Sequence, residues 1–168
     1  KMRQALEERL KKSGITIRNL NLKKFKEEVS KIRGIYNSAW EKNWGFVPMS
    51  EDEFNFAAAD MKSIVDTDFA FIAERDGQPI GFSLSIPNLN EILIRIKRGR
   101  LFPTGIFKLL FNKNKVKTLR VLTLGVIEQY RKTGLDACFY ARSIEAARKK
   151  KFLWAEASWI LEDNEMMN

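Results

Sequence analysis

The sequence predicts a mixed α/β (α+β) domain, and three observations carry that expectation. Residues 69–75, the pair Asp76-Gly77 and residues 78–86 read as an antiparallel hairpin, because Asp-Gly supplies the positive φ that a two-residue turn requires. Residues 118–127 are apolar on both alternations, the mark of an interior strand covered on both faces. That strand runs into a short polar turn and then a helix, and the stretch 118–147 is the unit around which the rest of the chain is organised. A helix that opens on such a turn carries unsatisfied N–H donors and a positive dipole end, so phosphate is the first ligand it suggests.

With 168 residues, 45% of them hydrophobic, the chain supports one domain with a sizeable core. Lys and Arg outnumber Asp and Glu by 30 to 21, a net charge of +9, which favours an anionic partner: coenzyme phosphates, nucleic acid or anionic lipid. Within these 168 residues the absence of histidine removes Ser-His-Asp catalysis, His-assisted cysteine chemistry and His-containing metal sites, and no metal is expected there. The lone Cys138 excludes a disulfide within the chain and favours a reducing cytoplasm; its apolar helical position marks a structural thiol. No run approaches the roughly 18 to 20 apolar residues of a membrane span, and the N-terminus lacks the apolar centre of a signal peptide. The chain opens on Lys1 and stops at Asn168 inside what reads as the first turn of a new helix, so a fragment of a longer protein is expected.

In chain order, residues 1–12 form a charged helical run closed by Ser13-Gly14, read as a linker helix over 1–14. Residues 15–18 alternate as a short strand, and Asn21 can cap a helix with Phe25, Val29, Ile32, Tyr36 and Trp40 on one face. Residues 40–48 break the helical period with Gly45 and Pro48. They gather Trp40, Asn43, Trp44 and Phe46 in one connection, the candidate substrate contacts, because functional residues collect on loops. Ser50 to Glu53 is a capping box opening a second helix, with Phe54, Ala57 or Ala58, Met61, Ile64 and Val65 on its apolar face.

Residues 88–117 stand out as an amphipathic basic insertion, read as two short helices around residues 99–105 and as a lid over the core. A membrane-surface or nucleic-acid patch has only the charge in its favour, and no nucleic-acid recognition motif appears. Gly125, near the end of the strand over 118–127, suggests a bulge or a close backbone approach. The helix beginning near Gly134 has apolar stripes on two sides and should be covered twice, and residues 152–161 form the next strand.

The turn Arg131-Lys132-Thr133-Gly134-Leu135-Asp136, preceded by Val126-Ile127-Glu128-Gln129-Tyr130, resembles the Gln/Arg-x-x-Gly-x-Gly/Ala signature of the GNAT superfamily of N-acetyltransferases. Leu161-Glu162-Asp163-Asn164 resembles that family's next helix entry, where an Asn lies near the coenzyme. The details in 39–48 and 159–164 look closest to an uncharacterised bacterial branch in which this unit follows another domain. The resemblance covers residues 15–168 and implies a mostly antiparallel central sheet flanked by helices, with the C-terminal strands missing.

It further implies an acyl-CoA-dependent N-acyltransferase acting on a small amine, with acetyl-CoA as donor. The pyrophosphate would lie on the amides of Arg131, Lys132, Thr133, Gly134, Leu135 and Asp136, and the pantetheine arm along Leu124, Gly125 and Val126, with Asn164 nearby. One residue departs from the pattern: Asp136 stands where the family has a small residue, and its carboxylate either shares the turn with a pyrophosphate or replaces it as a helix-capping group. The second alternative makes the chain a catalytically silent interaction module. For the chemistry, amine acylation needs a base; Glu156 on the strand over 152–161 and Glu128 at the exit into the turn are the two candidates.

Overall fold

The computed structural model describes residues 2–96, 100, 102, 104–112 and 115–157. The elements are α1 (Met2–Lys12), β1 (Ile15–Asn19), α2 (Phe25–Trp40), α3 (Glu51–Met61), β2 (Ala70–Arg75) and β3 (Gln78–Pro87). They continue with α4 (Asn90–Leu93), α5 (Thr104–Asn112), β4 (Thr118–Val126), α6 (Leu135–Lys149) and β5 (Trp154–Ala157). The expected final strand is described only over β5, and Asn164 and the helix entry around it lie outside the described residues.

The five strands form one sheet in the order β1-β2-β3-β4-β5, antiparallel except for β4 and β5. The local chemistry explains the hairpin: Asp76 and Gly77 have φ of 51° and 77°, the left-handed pair of a tight turn, and Arg75 then faces Gln78. The single parallel pair follows from α6, which carries the chain back over the sheet between β4 and β5. Partners jump from Leu84↔Thr123 to Ser85↔Val121, which leaves Leu122 as the extra residue of a bulge. The bulge is therefore at Leu122 rather than at Gly125.

Alternation along the strands feeds a separate core on each face of the sheet. Leu10, Phe71, Ile80, Val126, Leu135 and Phe139 are buried together under α1 and α6, and Ile35, Ala70, Ile72 and Phe82 under α2. Burying each such large side chain stabilises the fold by about 1.5–3 kcal/mol. α6 is covered twice, by the sheet and by α1, which packs on it through Leu6 and Leu10. Arg3 pairs with Glu145 at 2.6 Å and Arg142 with Glu7 at 2.7 Å across that seam. The helix read as a linker is thus a packed layer of the domain. Cys138 is fully buried in this core, and burial pushes its thiol up, as a structural cysteine requires.

α2 starts one short turn later than expected. Asn21 caps a 3-10 turn over Leu22–Lys24, accepting from the Lys23 N–H, and α2 follows at Phe25. The capping box of Ser50 and Glu53 is fully formed, but α3 ends at Met61, so Ile64 and Val65 lie beyond it. Across the far edge of the sheet, Arg18 on β1 grips Glu28 of α2 with two contacts of 2.8 Å and Glu74 of β2 at 2.8 Å, and Lys31 donates to Glu74 at 2.8 Å as the fourth member of the network. Among the described residues, no helix is long and apolar enough to cross a membrane.

Candidate functional site

The chain leaves β4 at Val126, makes a 3-10 turn over Glu128–Tyr130 and enters α6 through Lys132, Thr133 and Gly134. Lys132 has φ 62° and Gly134, the N-cap of α6, has φ 85°. Two left-handed residues around Thr133 curl the backbone tightly before the helix, the conformation that gathers successive N–H groups into an anion-binding concavity. The N–H groups of Tyr130 and Arg131 are taken by the carbonyls of Ile127 and Glu128, and that of Cys138 by Gly134. Between them, the six N–H groups of residues 132–137 meet no acceptor among the described residues. Six consecutive donors without an acceptor among the described residues, at the positive end of a 15-residue helix, have the chemistry to receive an anion.

Asp136, the second residue of α6, is the group that could have filled this site. Among the described residues its carboxylate accepts no hydrogen bond from the first-turn amides, so it does not act as their cap. Its charge acts on Tyr140 one turn further along α6, whose phenol is pushed up by burial first and by Asp136 second. The Arg131 side chain is engaged with the backbone of two other segments. Its Nε donates to the carbonyl of Val126 at 3.2 Å and its Nη2 to the carbonyl of Ala39 at 2.7 Å, tying the exit of β4 to the end of α2. Thr133 closes the turn from within, its hydroxyl donating to the Tyr130 carbonyl at 2.8 Å.

The connection after α2 lies directly against this turn. Lys42 bridges both oxygens of Glu128 at 2.8 and 2.7 Å, a partner that nothing in the sequence marks because 86 residues separate the two. Trp40 stacks on Tyr36 at 4.7 Å between centroids and tilts against Phe82, while Phe46 and Phe54 approach Tyr36 at 5.7 and 5.8 Å. Of the four expected substrate contacts, Trp40 and Phe46 join this aromatic wall. Asn43 serves the turn through its backbone, donating to Trp40 and accepting from Phe46. Trp44 is 95% exposed and stands apart from the wall.

Leu124, Gly125 and Val126 end β4 beside this wall. Leu124 and Val126 point into the core under α6, whereas Gly125 faces Trp40 and Phe82. The space left by the missing side chain of Gly125 is occupied by the Trp40 ring, so on that face the glycine accommodates the protein's own indole.

The two carboxylates considered as bases are far apart. Glu128 is exposed, and its hydrogen bond and charge pairing with Lys42 hold its carboxyl below the usual range. Glu156 pairs across β4–β5 with Arg120, accepting from it at 2.9 Å and from Asn88 at 3.0 Å. Arg120 lies six residues before Val126, about 20 Å along an extended strand. Glu156 therefore sits at the opposite end of β4 from the amide turn. Among the described residues no cluster of acidic or thiol groups is arranged to hold a metal ion.

A mixed, mostly antiparallel sheet with helices on both faces, whose fourth strand runs through a donor-rich turn into a helix, defines a class of α/β folds. Within that class the chain has the fold of the GNAT N-acetyltransferases. An N-acetyltransferase from Staphylococcus aureus matches with a TM-score of 0.58 at 20% identity, covering 91% of this chain and 77% of that one. YncA of Salmonella typhimurium, solved with acetyl-CoA, matches with a TM-score of 0.58 at 16% identity over 92% and 74%. Among curated proteins the chain is 39% identical to protein YghO of Escherichia coli over 160 residues, covering 92% of this chain and 41% of the relative. It is 33% identical to a bacterial ceramide synthase of Caulobacter vibrioides over 161 residues, covering 92% and 42%. The chain thus spans about two fifths of the length of these relatives. No family model matches it.

Proposed function

We propose that this chain is the acyl-CoA-binding unit of an N-acyltransferase, with acetyl-CoA as the donor to test first. The observation that carries the reading is the run of six free amides of residues 132–137 at the head of α6, in a GNAT fold. Those amides would receive the coenzyme's pyrophosphate, the β4 edge at Leu124, Gly125 and Val126 would pair with the pantetheine arm, and Asn164 would lie near the coenzyme. The coenzyme supplies the activated thioester. Acyl transfer forms a C–N bond to the amine, breaks the C–S bond and needs a proton removed from the nitrogen. Glu128 sits at the mouth of the turn and is kept ionised by Lys42, which suits it to attract an ammonium substrate more than to abstract its proton. Glu156, tied to Arg120 and Asn88, is the second candidate carboxylate.

The acceptor is an amine. A small amine is the reading the family resemblance suggests, and the relative named ceramide synthase favours a second one, since a ceramide is the amide of a long-chain amino alcohol. Titration calorimetry of the full-length protein with acetyl-CoA and with free CoA tests the donor. Binding of both supports the reading; no binding at millimolar ligand sinks it and leaves a silent interaction module. An assay of free thiol release with short and long acyl-CoA donors, against small amines and a long-chain amino alcohol, then separates the two acceptor classes.

A further inference from the structure

Part of the insertion between β3 and β4 is packed. Ile92, Ile96 and Val116 are buried, and α5 sits so close to the preceding segment that a Cβ on Gly105 would fall 2.6 Å from the carbonyl oxygen of Arg100. Other apolar side chains of the insertion are turned outward. Ile94 is 86% exposed, Phe102 74%, Phe107 57% and Phe111 77%. Phe107 and Phe111 lie one helical turn apart on α5 and stack on each other with centroids 6.4 Å apart, so they present one continuous apolar ridge.

Beside that ridge, Arg95, Lys108 and Lys115 line a cavity of about 220 Å³ together with Asn112 and Glu91. None of the three cations makes a salt bridge among the described residues. Glu91, the one carboxylate there, accepts from the N–H of Lys117 and from that of Thr118 at 2.8 Å, and of the three cations it is Arg95 whose charge acts on it. The cavity is left net positive.

We infer that the α4–α5 insertion docks on an anionic phospholipid bilayer, with Phe107 and Phe111 entering the headgroup–acyl boundary and Arg95, Lys108 and Lys115 holding lipid phosphates. The charge pattern selects this occupant. Three cations against one carboxylate, with Arg95 alone sensing the charge of Glu91, leave an excess of positive charge that an anionic surface complements, and exposed phenyl and branched aliphatic groups beside them match an apolar layer a few ångströms further in. A nucleic acid offers the first without the second, since the two phenylalanines stack on each other and Ile94 has no base to meet. Docking is independent of the acyltransferase reading, because it needs no coenzyme.

The test is sedimentation of the full-length protein with vesicles of phosphatidylcholine alone and of phosphatidylcholine with phosphatidylglycerol. Binding to the anionic vesicles that weakens with salt is expected. K108Q with K115Q should weaken it by on the order of 30-fold at low salt, about fivefold per charge removed. F107S with F111S should abolish it while circular dichroism stays unchanged, both side chains being exposed. An environment-sensitive dye on F111C should shift to the blue on vesicles. Indifference to anionic vesicles, binding that survives both double substitutions, or an unshifted dye on captured protein would each overturn the inference. So would salt-sensitive capture by a DNA or RNA oligonucleotide with none by lipid.

Discussion

The Trp40 ring closes over Gly125: a Cβ at Gly125 would fall 2.5 Å from Cζ3 and 2.8 Å from Cη2 of the indole. That contact joins the end of α2 to the end of β4, the strand that feeds the amide turn. G125A must displace the indole or the strand, and overpacking of this kind costs about 1–3 kcal/mol. Thermal unfolding of G125A should therefore show a lowered Tm. In a W40F background the same substitution should cost much less, because the smaller ring vacates the space. Equal costs in both backgrounds would show that the ring does not occupy it.

Arg131 makes a second tie between the same two elements through the carbonyls of Val126 and Ala39. R131A should lower stability by about 1–3 kcal/mol, the range for losing charge-assisted hydrogen bonds from a partly exposed site. R131K should recover little, since a single ammonium cannot reproduce a fork that reaches two carbonyls in different directions. Denaturant unfolding checks this. Were Arg131 instead a direct phosphate ligand, coenzyme affinity would drop with stability intact.

What could be read from the sequence is what is decided within a few residues. The Asp76-Gly77 hairpin turn and the Ser50–Glu53 capping box require only their own neighbours, and both are where the sequence places them. The donor-rich turn was legible for the same reason, its geometry being set by Gly134 and the helix that follows. Contacts between distant segments were not legible. Arg131 and Ala39 are 92 residues apart, Lys42 and Glu128 86, and neither pair leaves a periodic trace. Gly125 showed that something comes close to the backbone but not that it was Trp40. α1 looked like a charged linker because Leu6 and Leu10 are few among many charges, and only the doubly apolar face of α6 hinted at its cover.

Glu74 gives the fold a defined sensitivity to acid. The hydrogen bonds from Arg18 lead, with burial opposing and Lys31 adding to them, and the carboxyl is lowered from 4.5 to about 2. A carboxylate lowered on folding stabilises the native state at pH values above its unfolded pKa. That stabilisation fades as pH falls through the window from 4.5 towards 2, where the native state must take up the proton. Chemical denaturation at a series of pH values should show stability dropping through this window. E74Q should be less stable at neutral pH and flatter across it; a wild-type slope retained in E74Q would assign the acid sensitivity to other carboxylates.

Asp136 decides how well the amide turn can hold an anion. Its carboxylate stands in the first turn of α6 without a hydrogen bond from the amides there, so it opposes an incoming pyrophosphate without serving as its substitute. D136N keeps the shape and removes the charge. Without a ligand it should cost a little stability, because a first-turn carboxylate interacts favourably with the helix dipole by about 0.3–1 kcal/mol. With CoA the same order of energy acts in the opposite direction, and affinity should rise by roughly twofold to fivefold, most clearly at low salt. Calorimetry on wild type and D136N at two salt concentrations measures both effects. Unchanged affinity at low salt would mean that the pyrophosphate does not lie on this turn or that the carboxylate swings clear of it, and D136K, which adds a positive charge at the same place, separates these: tighter binding only if the phosphate is there.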